Sequence, residues 1–207
     1  VGAGLPIVKT LKDLMISGDR LLSIEAILSG TISYIFNNYK GDITFHDVVK
    51  QAQDLGYTEP DPRDDLRGTD FMRKMLILAR DAGYQLEAED VLIESMLPPA
   101  CIQAESVEDF YEALKTEDAF FENLKQQAAN SGKVLRYIAK LEDGKVVINL
   151  QMVDDSHPFY ALSGSDNIIS FSTDRYKERP MVVKGPGAGA EVTAAGVFAD
   201  IVNVAAQ

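Results

Sequence analysis

Between Gly56 and Lys74 the chain reads GYTEPDPRDDLRGTDFMRK, gathering Glu59, Asp61, Asp64, Asp65 and Asp70 about one lysine. Pro60 and Pro62 hold the stretch from Glu59 to Pro62 extended, because a residue before proline is pushed out of the α region. Asp70 and Lys74 stand four apart with the acid first, and an arbitrary exposed pair of that kind contributes only about 0.3–0.5 kcal/mol. The density of acids around the pair is what changes the reading. Crowded like charges are costly unless a cation or a buried polar network is held among them. A calcium loop is excluded, since the spacing lacks the central glycine and terminal glutamate of an EF-hand. A carboxylate pocket for an ammonium group survives, with Lys74 giving or taking a proton at the reacting centre.

A second motif, Gly185-Pro186-Gly187-Ala188-Gly189, stands between a β-prone run and a helical tail, where backbone N–H groups can face an anion. Its ordinary reading, glycines that let a helix and a strand pack closely, is twice as strong as cofactor contact. The final spacing of G-x-G-x-x-G is missing, and no complete dinucleotide domain fits in the tail. Gly2 and Gly4 sit in an opening turn, Val1 to Pro6, whose carbonyls can face a cation. His46 and His157 lie beside no cysteine or acid at metal-ligand spacing, Cys101 has no basic neighbours, and Ser29-Gly30-Thr31 is not a nucleophile elbow.

These residues need a scaffold. Pro6 opens an amphipathic helix that Gly18 closes, and Leu21 to Leu28 alternates as a strand. Thr31 to Tyr39 reads as helix or turn, and Thr44 with Asp47 resembles a capping box for a helix ended by Gly56. Asp61 as N-cap and Pro62 as first helical position start one helix running to Gly83. On it Phe71, Met75, Leu78 and Ala82 share the apolar face, with Arg67, Asp70, Lys74 and Asp81 opposite. Ser106 to Lys115 and Glu117 to Asn130 are helical. Asp143-Gly144 then joins the strands Val134 to Leu141 and Lys145 to Val153 in a hairpin. Ile168 to Ser172 and Met181 to Lys184 add strands, and Val192 to Ala205 a final helix. The expected class is α+β, a mixed or antiparallel sheet covered by helices.

The 207 residues can bury a full core, and 46% hydrophobic with 25% charged residues is too apolar for disorder. A net charge of −12 opposes nucleic acid and anionic membrane as partners. A small-molecule substrate or another protein suits it better. One cysteine allows no internal disulfide, which points to the cytoplasm, and no apolar run is long enough to span a bilayer. An opening on Val1 without methionine is that of a piece cut from a longer polypeptide.

The segments Val1-Gly-Ala-Gly-Leu-Pro6, Leu28-Ser-Gly-Thr-Ile-Ser-Tyr-Ile-Phe36, Gly56 to Leu66, Gly68, Asp70, Arg73-Lys74, and Gly187-Ala-Gly189 with Val192-Thr-Ala-Ala-Gly196 resemble homoserine dehydrogenase. The likeness runs end to end, and from Leu97 onward it is greatest to the dehydrogenase part of bifunctional aspartokinase–homoserine dehydrogenases. It implies NAD- or NADP-dependent interconversion of L-aspartate 4-semialdehyde and L-homoserine, on the way to threonine and methionine. By matching positions Lys74 would be the proton donor and acceptor. Glu59 and Asp70 would hold the substrate, with Asp65, Tyr57 and Thr31 lining the pocket. Gly189, with Thr193 nearby, would contact the nicotinamide cofactor. Val1, Ala3 and Leu5 match backbone ligands of a structural sodium ion, although the family's upstream glutamate ligand is absent.

The family's nucleotide-binding half, with G-x-G-x-x-G and a second catalytic lysine, precedes the position of Val1. The resemblance therefore implies that residues 1–5 end that Rossmann half, 6–184 form a substrate-binding and dimerisation domain, and 185–207 return to pack on the nucleotide half. It also implies a homodimer formed through the sheet, a linked aspartokinase upstream, and no turnover by this chain alone. A non-catalytic amino-acid-binding or dimerisation module is the alternative from another class, and a purely structural domain a third.

Overall fold

The computed structural model describes residues 1–206. Helix α1 (Ile7–Ile16) buries Ile7, Leu11 and Leu14 and hands over to β1 (Leu21–Ile27), then α2 (Gly30–Asn38), capped by Ser29. Thr44 caps α3 (Phe45–Asp54) through the Asp47 N–H, but the Asp47 carboxylate turns to His46 instead of completing the box. Two helices follow, α4 (Pro62–Leu66) and α5 (Thr69–Asp81), and then β2 (Val91–Ile93) and α6 (Pro99–Ile102). The remainder is α7 (Val107–Thr116), α8 (Asp118–Asn130), β3 (Val134–Glu142), β4 (Lys145–Val153), β5 (Asp166–Thr173), β6 (Met181–Pro186) and α9 (Ala190–Ala205).

The six strands form one mixed sheet in the order β2-β4-β3-β1-β5-β6, antiparallel except where β2 runs parallel to β4. The α+β class with a mixed, helix-covered sheet is as the sequence implies. Neither β2 nor α6 is foreshadowed there, each being too short to show a period. Successive strand residues face opposite sides. Tyr137 on β3 thus meets Phe71 of α5 edge-on at 5.6 Å, while Arg136 points the other way and donates to the Phe36 carbonyl at α2. Arg136 is buried and faces no carboxylate; its donors also reach the carbonyls of Phe159, Tyr160 and Leu162, and burial lowers its pKa to about 10. Beyond α2, the rings of Phe45 and Phe121 stack at 3.9 Å, tying α3 to α8.

The single helix expected from Pro62 to Gly83 is broken. Gly68 sits at φ 77, in the left-handed region, and a Cβ there would stand 2.8 Å from the Tyr137 hydroxyl. The chain turns at Gly68 to clear that buried ring, and α5 starts again at Thr69. Arg67 therefore belongs to a different element from Asp70 and Lys74, not to one shared helical face.

Candidate active site

Glu59, Asp64, Asp65 and Asp70 come together at the start of α5, while Asp61 is held apart from them. Asp61 caps α4 by accepting from the Arg63 N–H, and its carboxylate pairs with the Arg63 guanidinium at 2.6 Å. That hydrogen-bonded pair holds the Asp61 carboxyl below the usual range. Asp61 is thus committed to holding the turn. The Asp65 carboxylate accepts the Glu59 N–H at 2.8 Å and the Thr31 hydroxyl at 3.0 Å, and Thr31 also reaches the Tyr57 carbonyl at 2.5 Å. Burial pushes the Asp65 carboxyl up, the two hydrogen bonds pull it down, and nearby Glu59 and Asp64 push it up again. Tyr57 lies stacked on Tyr34, ring centroids 4.6 Å apart.

Lys74 is one turn into α5 and a quarter exposed. Its ammonium donates to the Leu28 carbonyl at 2.7 Å, just past β1, and pairs with Asp70 at 2.6 Å. The bland reading of an i,i+4 surface pair is thereby incomplete, since a main-chain carbonyl from the sheet aims the same ammonium. Next to it opens a cleft of 560 Å³ lined by Glu59, Asp64, Asp65 and Asp70 together with Ser29, Thr69, Arg67 and Arg73. Among the described residues no salt bridge engages Glu59, Asp64 or Arg73. An amino acid carries both charges, and the cleft offers both counter-charges. Sequence reasoning named the acids and overlooked the arginines, although Arg67 and Arg73 stand within the same segment.

The glycine motif lies at the same end of the sheet. Strand β6 runs through Gly185 and Pro186, so the turn is shorter than the sequence suggests, and Gly189 caps α9 without any side-chain hydrogen bond. Gly189 and Thr193 border an open apolar depression of 660 Å³ with Val197, Phe198 and Ile201. Val1, Ala3 and Leu5 form a turn held by its own bonds, the Leu5 carbonyl accepting the Ile7 N–H at 2.7 Å. Gly4 and Gly196 meet there, letting the N-terminal turn cross α9 in close contact.

An acid-lined cleft, a lysine aimed by a main-chain carbonyl and a glycine turn leading into α9 thus lie at one end of the α+β sheet. The sequence model of homoserine dehydrogenase matches residues 6–202. Over 207 residues the chain is 50% identical to the maize protein "Bifunctional aspartokinase/homoserine dehydrogenase 2, chloroplastic", covering 99% of this chain and 23% of that protein. The homoserine dehydrogenase of Schizosaccharomyces pombe is 47% identical, covering all of this chain and 57% of that enzyme. A crystal structure of a Candida auris protein of unknown function superposes with TM-score 0.94 at 45% identity, covering the whole chain and 60% of that protein. The chain belongs to the homoserine dehydrogenase family, and it spans about a quarter to three-fifths of the relatives it matches.

Proposed function

We propose that this chain supplies the substrate pocket and the proton-transfer lysine of a homoserine dehydrogenase, acting on L-aspartate 4-semialdehyde and L-homoserine. The observation that carries the reading is the Lys74 ammonium, fixed between the Leu28 carbonyl and Asp70, the latter lining the adjacent acidic cleft. Glu59 and Asp70 receive the ammonium of the substrate, and Asp65, Thr31 and Tyr57 fix the wall behind it. The hydride chemistry would come from a nicotinamide cofactor, NADP or NAD, in its reduced form for reduction and its oxidised form for oxidation. In reduction Lys74 gives its proton to the aldehyde oxygen as negative charge grows there; in the reverse direction the neutral amine takes the hydroxyl proton. Asp70 and the Leu28 carbonyl together fix where the Lys74 ammonium points.

The Gly187 to Gly189 turn and the uncapped start of α9 suit the cofactor, since backbone can come close to it there and free N–H groups point outward. Residues 1–5 and 185–207 are read as the parts that meet a nucleotide-binding half, and the exposed Val197, Phe198, Ile201 and Val204 of α9 as the surface it covers. Residues 6–184 are the substrate and dimerisation domain, the protein a homodimer through its sheet, with an aspartokinase joined as in the maize relative. Structural sodium on Val1, Ala3 and Leu5 belongs to the same reading, although the Leu5 carbonyl already serves Ile7. Cytoplasmic placement rests on the single buried cysteine; no helix among the described residues is long and apolar enough to cross a membrane.

The test is Lys74→Ala in the chain joined to a nucleotide-binding half, assayed for L-homoserine oxidation. Loss of a positioned general acid and base lowers the rate on the order of 10²- to 10⁴-fold. A variant that keeps the wild-type rate refutes the role of Lys74. Amino-acid binding without any turnover by the intact protein supports a binding module instead.

A further inference from the structure

One polar side chain near the site has no task in the mechanism above. Asn167, on β5, is 2% exposed, and its Oδ1 is buried without a hydrogen-bond donor among the described residues. An unmatched buried acceptor destabilises a fold, and each one calls for a reason. The location is informative. β1 and β5 pair in a register that sets Ala26 against Ile169 and ends with Ile27 against Ile168, the residue next to Asn167. On its other side Asn167 pairs with Gly185 of β6. Asn167 therefore lies between the end of β1, which leads directly into Leu28, and Gly185 of β6. On the β1 side the Leu28 carbonyl holds Lys74, and on the β6 side the strand leads into the glycine turn.

Gly187 lies directly on the Asn167 amide. A Cβ at Gly187 would fall 1.9 Å from Nδ2, 2.1 Å from Cγ and 2.6 Å from Oδ1. Backbone at that distance leaves no room for any side chain, so the flat carboxamide is the floor on which the turn rests. A branched apolar side chain such as leucine would remove the unmatched acceptor but replace the flat face with a thicker one.

We propose that Asn167 is a positioning residue for the cofactor, its carboxamide setting the height of the Gly187 to Gly189 turn relative to the Leu28 carbonyl and Lys74. The inference rests on the dehydrogenase reading and extends it: proton donor and cofactor turn are held in register by one side chain between them. Asn167 contacts neither the reacting atoms nor Lys74 directly.

The test uses Asn167→Leu and Asn167→Asp in the chain joined to its nucleotide-binding half. Three readouts are taken: thermal melting, cofactor affinity from fluorescence of the reduced nicotinamide, and KM for L-homoserine. The expected result is that Asn167→Leu melts close to the parent, loss of the unmatched acceptor offsetting the thicker side chain, yet binds cofactor on the order of tenfold more weakly with KM for L-homoserine unchanged. Asn167→Asp, which keeps the flat shape, retains more cofactor affinity than the leucine variant. Gly187→Ala weakens cofactor binding in the parent but adds little further loss in an Asn167→Ala background, where the amide is gone. Unchanged cofactor affinity in Asn167→Leu overturns the proposal, as does an equal loss for substrate and cofactor or a fall in melting temperature that accounts for both. Absence of L-homoserine oxidation in the parent protein would instead count against the dehydrogenase reading, while the melting and cofactor-binding comparisons still decide the role of Asn167.

Discussion

Substituting Gly68 with alanine tests why α4 and α5 are separate helices. Holding alanine at φ 77 costs about 1–2 kcal/mol. The new methyl meets the Tyr137 hydroxyl at 2.8 Å and its Cε1 at 3.3 Å, and Tyr137 is fully buried, so the ring must shift at a cost of about 1–3 kcal/mol. Stiffening of the unfolded chain offsets about 0.4–1 kcal/mol. The net loss is about 2.5 kcal/mol, a fall in melting temperature of about 5–10 °C for a chain of this size. Urea unfolding of Gly68→Ala, Tyr137→Phe and the double variant separates the contributions. Tyr137→Phe alone costs little, since its hydroxyl reaches the Glu94 carbonyl only at 3.4 Å. In the double variant about 1 kcal/mol returns, because the clashing oxygen is gone. A Gly68→Ala chain as stable as the parent, or no recovery in the double variant, refutes the account of the helix break.

Asp65→Asn tests the strain of a half-buried carboxyl. Because the folded state raises its pKa, the native chain holds that proton more tightly than the unfolded one. Its contribution is therefore best in acid and declines as pH rises through the raised value. The stability of Asp65→Asn relative to the parent should improve between about pH 3 and pH 7, and a pH-independent difference contradicts it. Glu25 behaves in the opposite sense. Its hydrogen bond to His157 lowers its pKa, so the stabilisation is present above the ordinary glutamate range and lost as pH falls through the lowered value. Glu25→Gln should abolish that acid limb of the unfolding curve. Burial pushes the Cys101 thiol up to about 11, and the residue has no exposed surface. A thiol reagent should label it only at the rate of unfolding, and rapid labelling of native chain would show that α6 opens locally.

Features written in neighbouring residues were legible beforehand. Asp61 with Pro62 marks a helix start, and Asp143-Gly144 a hairpin, because cap and turn chemistry act over a few positions; φ is 50 at Asp143 and 74 at Gly144, as such a turn requires. The gathering of Glu59, Asp65, Asp70 and Lys74 was equally local. What escaped depends on partners distant in sequence. Gly68 ends a helix because of Tyr137, and β2 is a strand only because β4 offers it an edge. The hydrogen bond from Lys74 to the Leu28 carbonyl joins residues 46 apart in sequence, a separation that no local pattern reports. Asn167 looks like any polar residue in a strand until Gly187 is seen on top of it.

The strand order also constrains how the chain can be assembled. β1 lies between β3 and β5, so its partners run from Ala139 to Glu142 on one side and from Ile168 to Thr173 on the other. On a ribosome, β1 emerges long before either neighbour exists. Its apolar residues Leu21, Ile24 and Ile27 must wait while most of the polypeptide is made. The β3–β4 hairpin closes through a two-residue turn and can form at once, giving a two-stranded template. Insertion of β1 beside that template is the long-range step, and the Leu28 carbonyl takes its place beside Lys74 only when the insertion is complete. A nascent chain arrested before residue 134 would hold the cleft acids and the lysine but have no sheet to aim them.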